Sequence, residues 1–397
     1  MSLLLKKAIS STSSLHQEPK DISLPADATD TISSISWSPV ADTNHLATAS
    51  WDGKIRVYDV DATSRNARGV AWLAADGPLL DCDWAKLYMC AYIFLSPSRL
   101  YRENVEKTNA WNPVRRQDGS IVVAAGADRK SHMLHLATGQ KATIGTHDAP
   151  IRSVRFVDIP ATSSPILASG SWDHKLKLWD LRQQHNNNSN PLAIVDCGER
   201  VYAMDSKAQL LVVATAERKL LFVDLRYPTV VARTAESQLK HQTKAVAVAP
   251  DGKCFATASI EGRCGISAVD GRDMSSETNF TFRCHRSIPD TRRVAKVWSV
   301  NDVRFHPANE AVFVTAGSDG AFIFWNRVAH SKIKTYPAPT APSVAAITAT
   351  GFNHDGSLFA YATGYDWSFG RVGNTGKVQT RLMLHSVLTD DVVSQKK

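Results

Sequence analysis

The chain has 397 residues, 43% of them apolar and 21% charged, and its 46 Lys and Arg against 38 Asp and Glu give a net charge of +8. This composition excludes an intrinsically disordered chain and predicts a globular protein with a large core. No apolar run reaches the roughly 20 residues that cross a bilayer, and the N-terminal apolar patch is too short for a secretory signal. We therefore expect an intracellular protein without membrane insertion. The positive charge allows an acidic partner without requiring one.

The six cysteines are scattered along the chain and form no Cys-x-x-Cys pair. Zinc modules and disulfide frameworks need closely spaced or regularly paired cysteines. The spacing therefore predicts buried, reduced thiols, no metal site and no cofactor.

A sequence unit recurs along the chain. Its clearest copies are residues 46–59, 167–180 and 314–326. Each copy begins with small apolar residues, passes through a turn that carries an acid, and ends in an alternating segment closed by an aromatic residue with Asp or Asn. Alternation with a period of two predicts a half-buried strand, and a turn acid that bonds its own backbone sets a tight hairpin.

Seven turn acids mark seven copies of this unit. In chain order they are Asp52, Asp128, Asp173, Glu217, Glu261, Asp319 and Asp366. Their spacings are 76, 45, 44, 44, 58 and 47 residues, and most match the period of about 40–45 residues that is typical of the WD40 repeat. The unit resembles that repeat, so we expect an all-β fold, a seven-bladed WD40 β-propeller.

The ends of the chain are expected to close the ring. Residues 21–24 should pair on the outside of the last blade, because closure removes exposed sheet edges, and residues 380–387 should supply that blade's own last strand. The predicted organisation is a polar tail at 1–18, one propeller at 19–390 and a second tail at 391–397. Within the propeller, residues 183–191 form a low-complexity loop that we expect to be disordered.

The first spacing exceeds the repeat period by 31 residues. The excess falls in residues 86–116, an apolar segment at a place where a short turn between two strands is expected. Three interpretations stay open: a packed extra loop, a partner-binding loop, or an intron translated in frame. Residues 87–89, 108–110 and 114–115 can be encoded by a donor site, a branch point and an acceptor site, in the order that splicing requires.

The spacing between Glu261 and Asp319 exceeds the period by about 13 residues. The excess maps to residues 284–296, a polar and basic loop that includes Arg292, Arg293 and Lys296. Long loops on a rigid scaffold often carry function. We therefore expect a functional insertion here.

The sequence gives little support to catalysis, since it contains no nucleophile elbow, P-loop, zinc-protease motif or dinucleotide fingerprint. One group of residues imitates a catalytic triad: His147, Ser169, Asp173 and Trp179. In WD40 repeats such a group is usually a structural hydrogen-bond network. Cys284 and His285 are adjacent, and neighbouring residues of a strand point to opposite faces, which argues against a nucleophile with its base. We expect a non-enzymatic scaffold that binds partners.

Aromatic and cationic residues concentrate in two neighbouring repeats. The first group is Phe280, Phe282, Arg283, His285 and Arg286, and the second is Trp325, Arg327, His330, Lys332 and Lys334. Bases stack on aromatic rings while Lys and Arg hold phosphates, so this combination suits single-stranded nucleic acid. The alternative is that Phe282 and Trp325 belong to the core and that the cations only solvate the surface.

Five segments are more specific than the general repeat: residues 170–173, 214–218, 259–263, 279–286 and 365–368. Together they resemble the poly(A) RNA export WD40 family of the nuclear pore. The resemblance covers about residues 20–370 apart from 86–116. The mitotic checkpoint WD40 family is a close sister that shares the patterns at 259–263 and 284–286.

The resemblance implies a non-enzymatic adaptor in mRNA export, located in the nucleus and at the nuclear pore complex of the nuclear envelope, with shuttling to the cytoplasm left open. The implied partners are a short segment of the GLFG-repeat nucleoporin and messenger ribonucleoprotein or single-stranded RNA. The nucleoporin contact matches Arg263, extended here to Glu261 and Arg218, because Arg takes carboxylates bidentately. The contact with RNA or another acidic partner matches a second set: Phe280, Phe282, Arg286, Trp325, Arg327, Lys332 and Lys334.

Two other functions stay open on the sequence. A scaffold of the mitotic spindle checkpoint would bind kinase motifs and have checkpoint proteins as partners. A substrate receptor of a ubiquitin ligase would use the same kind of propeller for another class of partner.

Overall fold

The computed structural model describes residues 21–85, 120–182, 190–338 and 345–393, apart from the single positions Asp42, Ala161, Ser163, Asp290 and Arg292. The predicted tail at 1–18, the insertion at 86–116 and residues 183–189 of the predicted loop lie outside this part of the chain. The domain boundaries drawn from the sequence stay predictions.

Within the described residues, 28 strands form seven antiparallel sheets of four strands each, and the first strand of the chain, β1 (Ile22–Leu24), belongs to the last sheet. Blade 1 contains β2 (Ile32–Trp37), β3 (His45–Ser50), β4 (Lys54–Asp61) and β5 (Asn66–Ala74). Blade 2 contains β6 (Leu79–Trp84), β7 (Ile121–Gly126), β8 (Lys130–His135) and β9 (Lys141–Thr146). Blade 3 contains β10 (Ile151–Val157), β11 (Ile166–Ser171), β12 (Lys175–Asp180) and β13 (Ala193–Asp196).

The remaining blades follow the same order from the inner to the outer strand. Blade 4 contains β14 (Val201–Lys207), β15 (Leu210–Thr215), β16 (Lys219–Asp224) and β17 (Arg233–Glu236). Blade 5 contains β18 (Thr243–Val248), β19 (Cys254–Ser259), β20 (Arg263–Ala268) and β21 (Phe280–Arg283). Blade 6 contains β22 (Val300–Phe305), β23 (Val312–Gly317), β24 (Phe322–Asn326) and β25 (Ser331–Tyr336). Blade 7 contains β26 (Ala346–Phe352), β27 (Leu358–Gly364), β28 (Arg381–Ser386) and then β1, with the short helices α1 (Gly370–Gly373) and α2 (Thr389–Val392) nearby in sequence.

This topology confirms the predicted seven-bladed propeller and its closure by the N-terminal strand. β1 pairs antiparallel with β28, so that Ile22 lies opposite Leu384 and Leu24 lies opposite Leu382. The first strand of the chain thereby completes the last blade. Strands from near the two ends of the chain are therefore held in one sheet, and β1 covers the edge of β28 that would otherwise be unpaired.

The core lies between neighbouring blades. Leu176 and Leu178 of blade 3, for example, pack with Met204 and Val213 of blade 4 in one buried cluster. The second strands are rich in small residues such as Ala47, whose complete burial lets adjacent sheets approach closely. Because each blade buries its faces against two others, the blades stabilise one another around the ring.

Acids fix the hairpins between the second and third strands. Five of the seven turn acids accept a hydrogen bond from the backbone N–H two residues ahead: Asp52, Asp128, Asp173, Asp319 and Asp366. This is the Asx-type turn that the repeat pattern predicts. Glu217 has a longer side chain, which instead reaches the ammonium group of Lys219 at 3.2 Å.

His147 joins three elements of blade 3. Its Nδ1 lies 2.9 Å from Asp173 Oδ2 and its Nε2 lies 2.8 Å from Ser169 Oγ, which also accepts the indole N–H of Trp179 at 2.8 Å. Burial lowers the pKa of His147 to about 4, so the ring is neutral at pH 7. All polar atoms of this group are used inside the blade, which is the structural network expected from the sequence.

β6 and β7 pair fully although residues 86–119 separate them in the sequence. Trp84 lies opposite Val122, and the N–H of Ala85 donates to the carbonyl of Ile121 at 2.9 Å. Both Ala85 and Ser120 are buried. Blade 2 therefore has the same register as the other blades on both sides of this segment.

A buried polar cluster, here called the clasp, fixes the closing strand. Asp21 accepts hydrogen bonds from His385 Nδ1 at 2.7 Å and from Tyr361 Oη at 2.7 Å. His385 Nε2 lies 3.3 Å from Asp391 Oδ2, and Tyr336 Oη donates to the other oxygen of Asp391 at 2.5 Å. Both ring nitrogens of His385 face carboxylates, an arrangement that favours the doubly protonated ring.

Asp391 lies in α2 and is completely buried, although the sequence boundary places it in the C-terminal tail. Its carboxylate also accepts the N–H of Leu388 at 2.8 Å. These polar contacts hold α2 on the propeller, and a charged residue near a chain end gives no sequence signal of burial. Burial lowers the pKa of His385, but the hydrogen bonds to Asp21 and Asp391 outweigh it and hold this pKa above its ordinary value of 6.5.

We expect the clasp to make stability depend on pH. The pKa of His385 is higher in the folded than in the unfolded state, where it is 6.5. Its stabilising effect is therefore complete below that value and is lost as the pH rises through the folded-state pKa. His385→Gln should lower the free energy of unfolding by about 1–3 kcal/mol in mild acid, because buried carboxylates lose a charged donor.

Urea unfolding of the wild type and the variant, in mild acid and in mild alkali, measures this difference. The matched control is His241→Gln, since the side chain of His241 is 57% exposed. An effect of His385→Gln that stays constant across the pH range would contradict the prediction.

Candidate partner-binding surfaces

The two ends of the central channel carry different loops. The hairpins between second and third strands and the links to the next blade lie at one end, called the top face here. The hairpins between first and second strands and between third and fourth strands lie at the other end, the bottom face. Arg218, Glu261 and Arg263, predicted for the nucleoporin contact, all lie on the top face of blades 4 and 5.

These three residues form one continuous arc. Arg263 Nε lies 3.8 Å from Glu261 Oε1, and His241 Nε2 lies 3.5 Å from the other oxygen of Glu261. Arg218 donates to the carbonyl of Leu239 at 3.4 Å, in the same link between the blades that carries His241. The sequence prediction therefore selected residues that the fold brings together.

Arg263 has a second cation beside it. In the ladder between β20 and β21, Arg263 lies directly opposite Arg283, whose side chain is exposed. Like charges at opposite positions of a ladder repel each other. Glu261 offsets this repulsion only through a long contact, so an incoming carboxylate would relieve it.

Arg286 belongs to the top face, although the sequence grouped it with the RNA residues. Its guanidinium donates to the carbonyl of Glu261 at 2.6 Å and to that of Gly262 at 3.3 Å. Gly262 has φ +63, and a Cβ there would lie 2.8 Å from the carbonyl oxygen of Cys284. Arg286 therefore supports the hairpin that carries Glu261, far along the strand from Phe280.

The hairpin of blade 4 opens a cavity of about 290 Å³ beside Arg218. Glu217 and Arg218 both have positive φ, 59° and 65°, which is the backbone of a tight two-residue hairpin usually formed by Asn and Gly. Arg200 and Tyr202, at the start of the inner strand of the same blade, line another side, and Gln242 in the link to blade 5 completes the lining. A partner side chain could enter between blades 4 and 5.

A ring of residues that the sequence analysis missed surrounds the channel at the top face. Every inner strand has a bulge near its start, at the second residue in six strands and at the third in β26. The seven residues at these bulges, called the axial ring here, are Ser33, Leu80, Arg152, Tyr202, Lys244, Asn301 and Thr348. Their side chains reach neighbouring inner strands: Arg152 donates to the carbonyl of Leu80 at 3.2 Å, and Lys244 donates to Asn301 Oδ1 at 2.7 Å.

Two cations of the axial ring have no carboxylate of another described residue in direct contact, although Asp81 and Asp302 attract Arg152 and Asp366 attracts Lys244 from a longer distance. Within the described part of the chain, neither Arg152 nor Lys244 forms an ion pair, and both bond to neutral acceptors. Burial lowers the pKa of each cation, which shows the cost of holding these charges away from water. An acidic side chain that entered the channel from the top face would lower that cost.

The aromatic residues predicted to contact RNA cluster between blades 5 and 6. The ring centroids of Phe280 and Phe282 lie 6.1 Å apart, and those of Phe282 and Trp325 lie 4.6 Å apart. The ring of Phe280 packs on that of His330, with centroids 3.9 Å apart and planes tilted by 33°. All three predicted aromatic residues are half-buried, so each presents part of a ring to solvent while the rest packs on the core.

Trp325 takes part in a hydrogen-bond network within blade 6 that the sequence did not predict. Its indole N–H donates to Thr315 Oγ1 at 2.9 Å, and that oxygen lies 3.0 Å from His285 Nε2. His285 Nδ1 lies 2.8 Å from Asp319 Oδ1. Blade 6 thus repeats the network of His147 in blade 3, which assigns His285 to the fold and leaves Trp325 only a ring edge for binding.

The cations predicted to bind RNA differ in whether they already form ion pairs within the protein. Arg327 pairs with Asp251 at 2.8 Å and donates to the carbonyl of Glu310 at 2.6 Å, with its side chain only 16% exposed. Lys334 pairs with the buried Asp391 at 3.4 Å. Lys332 is exposed and forms no ion pair with another described residue.

Among the residues that the structure describes, no group of three or more His, Cys, Asp or Glu residues could hold a metal ion. None of the described helices is long and apolar enough to cross a membrane.

Comparison with known proteins gives matches over nearly the whole chain. The sequence profile of the WD domain, G-beta repeat, matches residues 22–59 and 139–180. The WD40 repeat protein poxJ of Penicillium oxalicum is 43% identical over 374 residues, which cover 94% of each chain. The mRNA export factor GLE2 of Chaetomium thermophilum is 38% identical over 382 residues, 96% of this chain and 94% of that protein. The Poly(A)+ RNA export protein of Schizosaccharomyces pombe is 38% identical over 378 residues, 95% of this chain and 94% of that protein.

These alignments cover 95–96% of the chain and extend far beyond the two stretches that the general profile detects. The resemblance drawn from the five sequence segments is thereby confirmed: the chain belongs to the WD40-repeat family of poly(A) RNA export factors.

Proposed function

We propose that the protein is a non-enzymatic adaptor in mRNA export. Its top face docks an acidic segment of the GLFG-repeat nucleoporin, and the bottom side of blades 5 and 6 contacts messenger ribonucleoprotein or single-stranded RNA. This places its activity in the nucleus, at the nuclear pore complex. The names of its relatives support the role in export. The observation that carries the proposal is the pair of Arg263 and Arg283, two cations held side by side with one long contact to a carboxylate.

The geometry favours an acidic partner on the top face. The 3.8 Å contact between Arg263 and Glu261 is longer than the 2.7–2.9 Å of a good charge-assisted hydrogen bond. Arg263 can therefore turn to a partner carboxylate at little cost. Hydrogen bonds to charged groups contribute about 1.5–3 kcal/mol when water is excluded, whereas exposed pairs contribute about 0–1 kcal/mol. A partner segment that covers the arc and the axial ring excludes water there, so each charged hydrogen bond it forms would contribute the larger of these two free energies.

The RNA contact rests on fewer free groups than the sequence indicates. Phe280 offers a half-buried ring that packs on His330, and Lys332 supplies a charge that is not paired with any other described residue. Arg327, Lys334 and Trp325 act chiefly within the fold. We therefore expect weak, salt-dependent binding at this surface, strengthened in the cell by other components of the ribonucleoprotein.

Arg263→Glu should weaken binding of the nucleoporin about thirtyfold or more, because reversing one charge of a close pair costs about 2–5 kcal/mol. Isothermal titration calorimetry with the recombinant nucleoporin measures the change. Arg272→Glu is the matched control, since it makes the same charge change on a side chain that is 92% exposed. Equal affinities of the two variants would refute this docking site. Co-purification of checkpoint kinases in place of the nucleoporin would favour the checkpoint alternative.

Lys244→Met tests the axial ring separately. The substitution keeps the length of the side chain and removes an ammonium group that burial disfavours, so thermal stability should be kept or should rise. Affinity for the nucleoporin should nevertheless fall about tenfold, because a carboxylate in the channel loses its cation. Unchanged affinity would show that the bound segment does not enter the channel.

Two variants distinguish a charge that contacts RNA from one that supports the fold. Lys332→Glu should weaken RNA binding and lower the slope of log affinity against log salt by about 1. Arg327→Glu should instead lower the free energy of unfolding by about 3 kcal/mol, since it faces Asp251 with a second carboxylate. Fluorescence anisotropy and urea unfolding measure the two effects, with exposed Lys377→Glu as the control. Wild-type RNA affinity of Lys332→Glu would contradict the assignment.

A further inference from the structure

The outer side of blade 1 contains a groove that none of the binding sites above uses. Its floor is formed by Val57, Tyr58, Gly69 and Ala71, and residues 25–27, which lead from β1 into blade 1, form one wall. The volume is about 560 Å³, within the range of about 300–1,000 Å³ that is typical of small-molecule sites. Small residues at 69 and 71 keep the floor low, so the groove is open along β5.

The opposite wall carries an exposed tryptophan between two lysines. Trp72 is 56% exposed, an unusual value for so large an apolar side chain. The ammonium groups of Lys54 and Lys141 lie 5.7 Å and 4.6 Å from its ring centroid. Neither lysine forms an ion pair with another residue of the described chain, so both charges remain available.

The acid in the groove shares one guanidinium with a second acid. Asp27 lies 2.6 Å from Arg56 Nε, and Arg56 also pairs with Asp52 at 2.8 Å. The hydroxyl of Tyr58 donates to Asp27 at 3.4 Å. The two lysines outweigh the one carboxylate charge that Arg56 leaves uncompensated, and both lie beside Trp72. The side of the groove at Trp72 is therefore complementary to an anion that also has an apolar, planar part.

We propose that this groove, called the Trp72 groove here, binds single-stranded RNA, with one base stacked on Trp72 and the adjoining phosphates held by Lys54 and Lys141. A base stacked on an aromatic ring is worth more than an exposed cation–π contact. The base therefore displaces the ammonium groups from the ring, and they move to the phosphates. The groove beside the ring accommodates the ribose and the next base.

An acidic peptide fits the same charges less well. A peptide would add to the free edge of β5 as a fifth strand, and this requires a regular edge. β5 has a bulge where the register shifts between Val57 and Tyr58, and Val70 at this place is 41% exposed. Because the bulge interrupts the row of backbone donors and acceptors, base stacking uses the groove better than strand addition.

The choice of RNA as the ligand of this groove rests on the proposed function. The groove would add a second RNA-binding site to the one at Phe280. Blade 1 is three blades away from Phe280 around the ring. Two contacts so far apart would engage separate parts of one strand or two strands, which raises the effective concentration of the second contact once the first is made.

Fluorescence anisotropy with a labelled oligouridylate of about 15 nucleotides tests the proposal, since such a length exceeds the footprint of a single stacking surface. Trp72→Ala should weaken binding about tenfold, the factor equivalent to about 1.4 kcal/mol, and Trp72→Phe should retain near wild-type affinity. The double variant Lys54→Glu with Lys141→Glu should lower the salt slope by about two. Trp172→Ala is the matched control, because Trp172 is also exposed, at 39%.

The outcomes separate this site from the site at Phe280. Loss of binding in Phe280→Ala together with wild-type affinity in Trp72→Ala would overturn the Trp72 groove and leave the proposed function standing. Loss in Trp72→Ala with wild-type affinity in Phe280→Ala would support the groove and move the RNA contact away from blades 5 and 6. A polyglutamate peptide that binds in a Trp72-dependent way, without an effect of Trp72→Ala on RNA affinity, would identify an acidic peptide as the occupant and overturn the proposal.

Discussion

Closure of the ring is the constraint on which the other features of this protein depend. Each blade buries its faces against two neighbours, and β1 completes the core between blades 7 and 1 when it pairs with β28. β1 contributes three residues, and Leu24 packs with Ile32, Trp37 and Leu382 across that junction. Three paired residues hold weakly by themselves, and the clasp of Asp21, His385 and Asp391 adds the directional contacts that fix the register. The arc on the top face and the axial ring exist only because the blades then converge.

Local sequence patterns predicted the blades because they encode local interactions. A turn acid such as Asp173 bonds a backbone N–H two residues ahead, and the alternation in β12 sets one face toward the core. Residues that contact each other in the fold but lie far apart in the chain produce no such local sequence pattern. Asp251, which neutralises Arg327, is 76 residues away from it, and Arg152 and Lys244 converge only after closure of the ring. The repeat therefore revealed the fold, and Arg218, Glu261 and Arg263 were found through resemblance, whereas the free or paired state of each cation required the structure.

The cationic side chains of this protein have two kinds of role. One group donates its hydrogen bonds to carbonyls or buried carboxylates and makes hairpins and blade junctions rigid; it consists of Arg286, Arg327 and Lys334. Arg263, Arg283 and Lys332 keep donors available. A net charge counted from the sequence cannot separate these groups, because a paired cation and a free one contribute equally to the sum. What attracts a partner is the uncompensated charge at particular places on an otherwise balanced surface.

The junction of β6 and β7 has a consequence for how this gene product can vary. The hydrogen bond from Ala85 to Ile121 and the pairing of Trp84 with Val122 define the blade on either side of residues 86–119. A messenger that retained or removed the codons in between would encode the same β-ladder, with a different length of polypeptide joining two adjacent strand ends. The register of blade 2 is thus set by the pairs from Leu79 with Gly126 to Trp84 with Val122, and it does not specify the length of chain that joins the two strands.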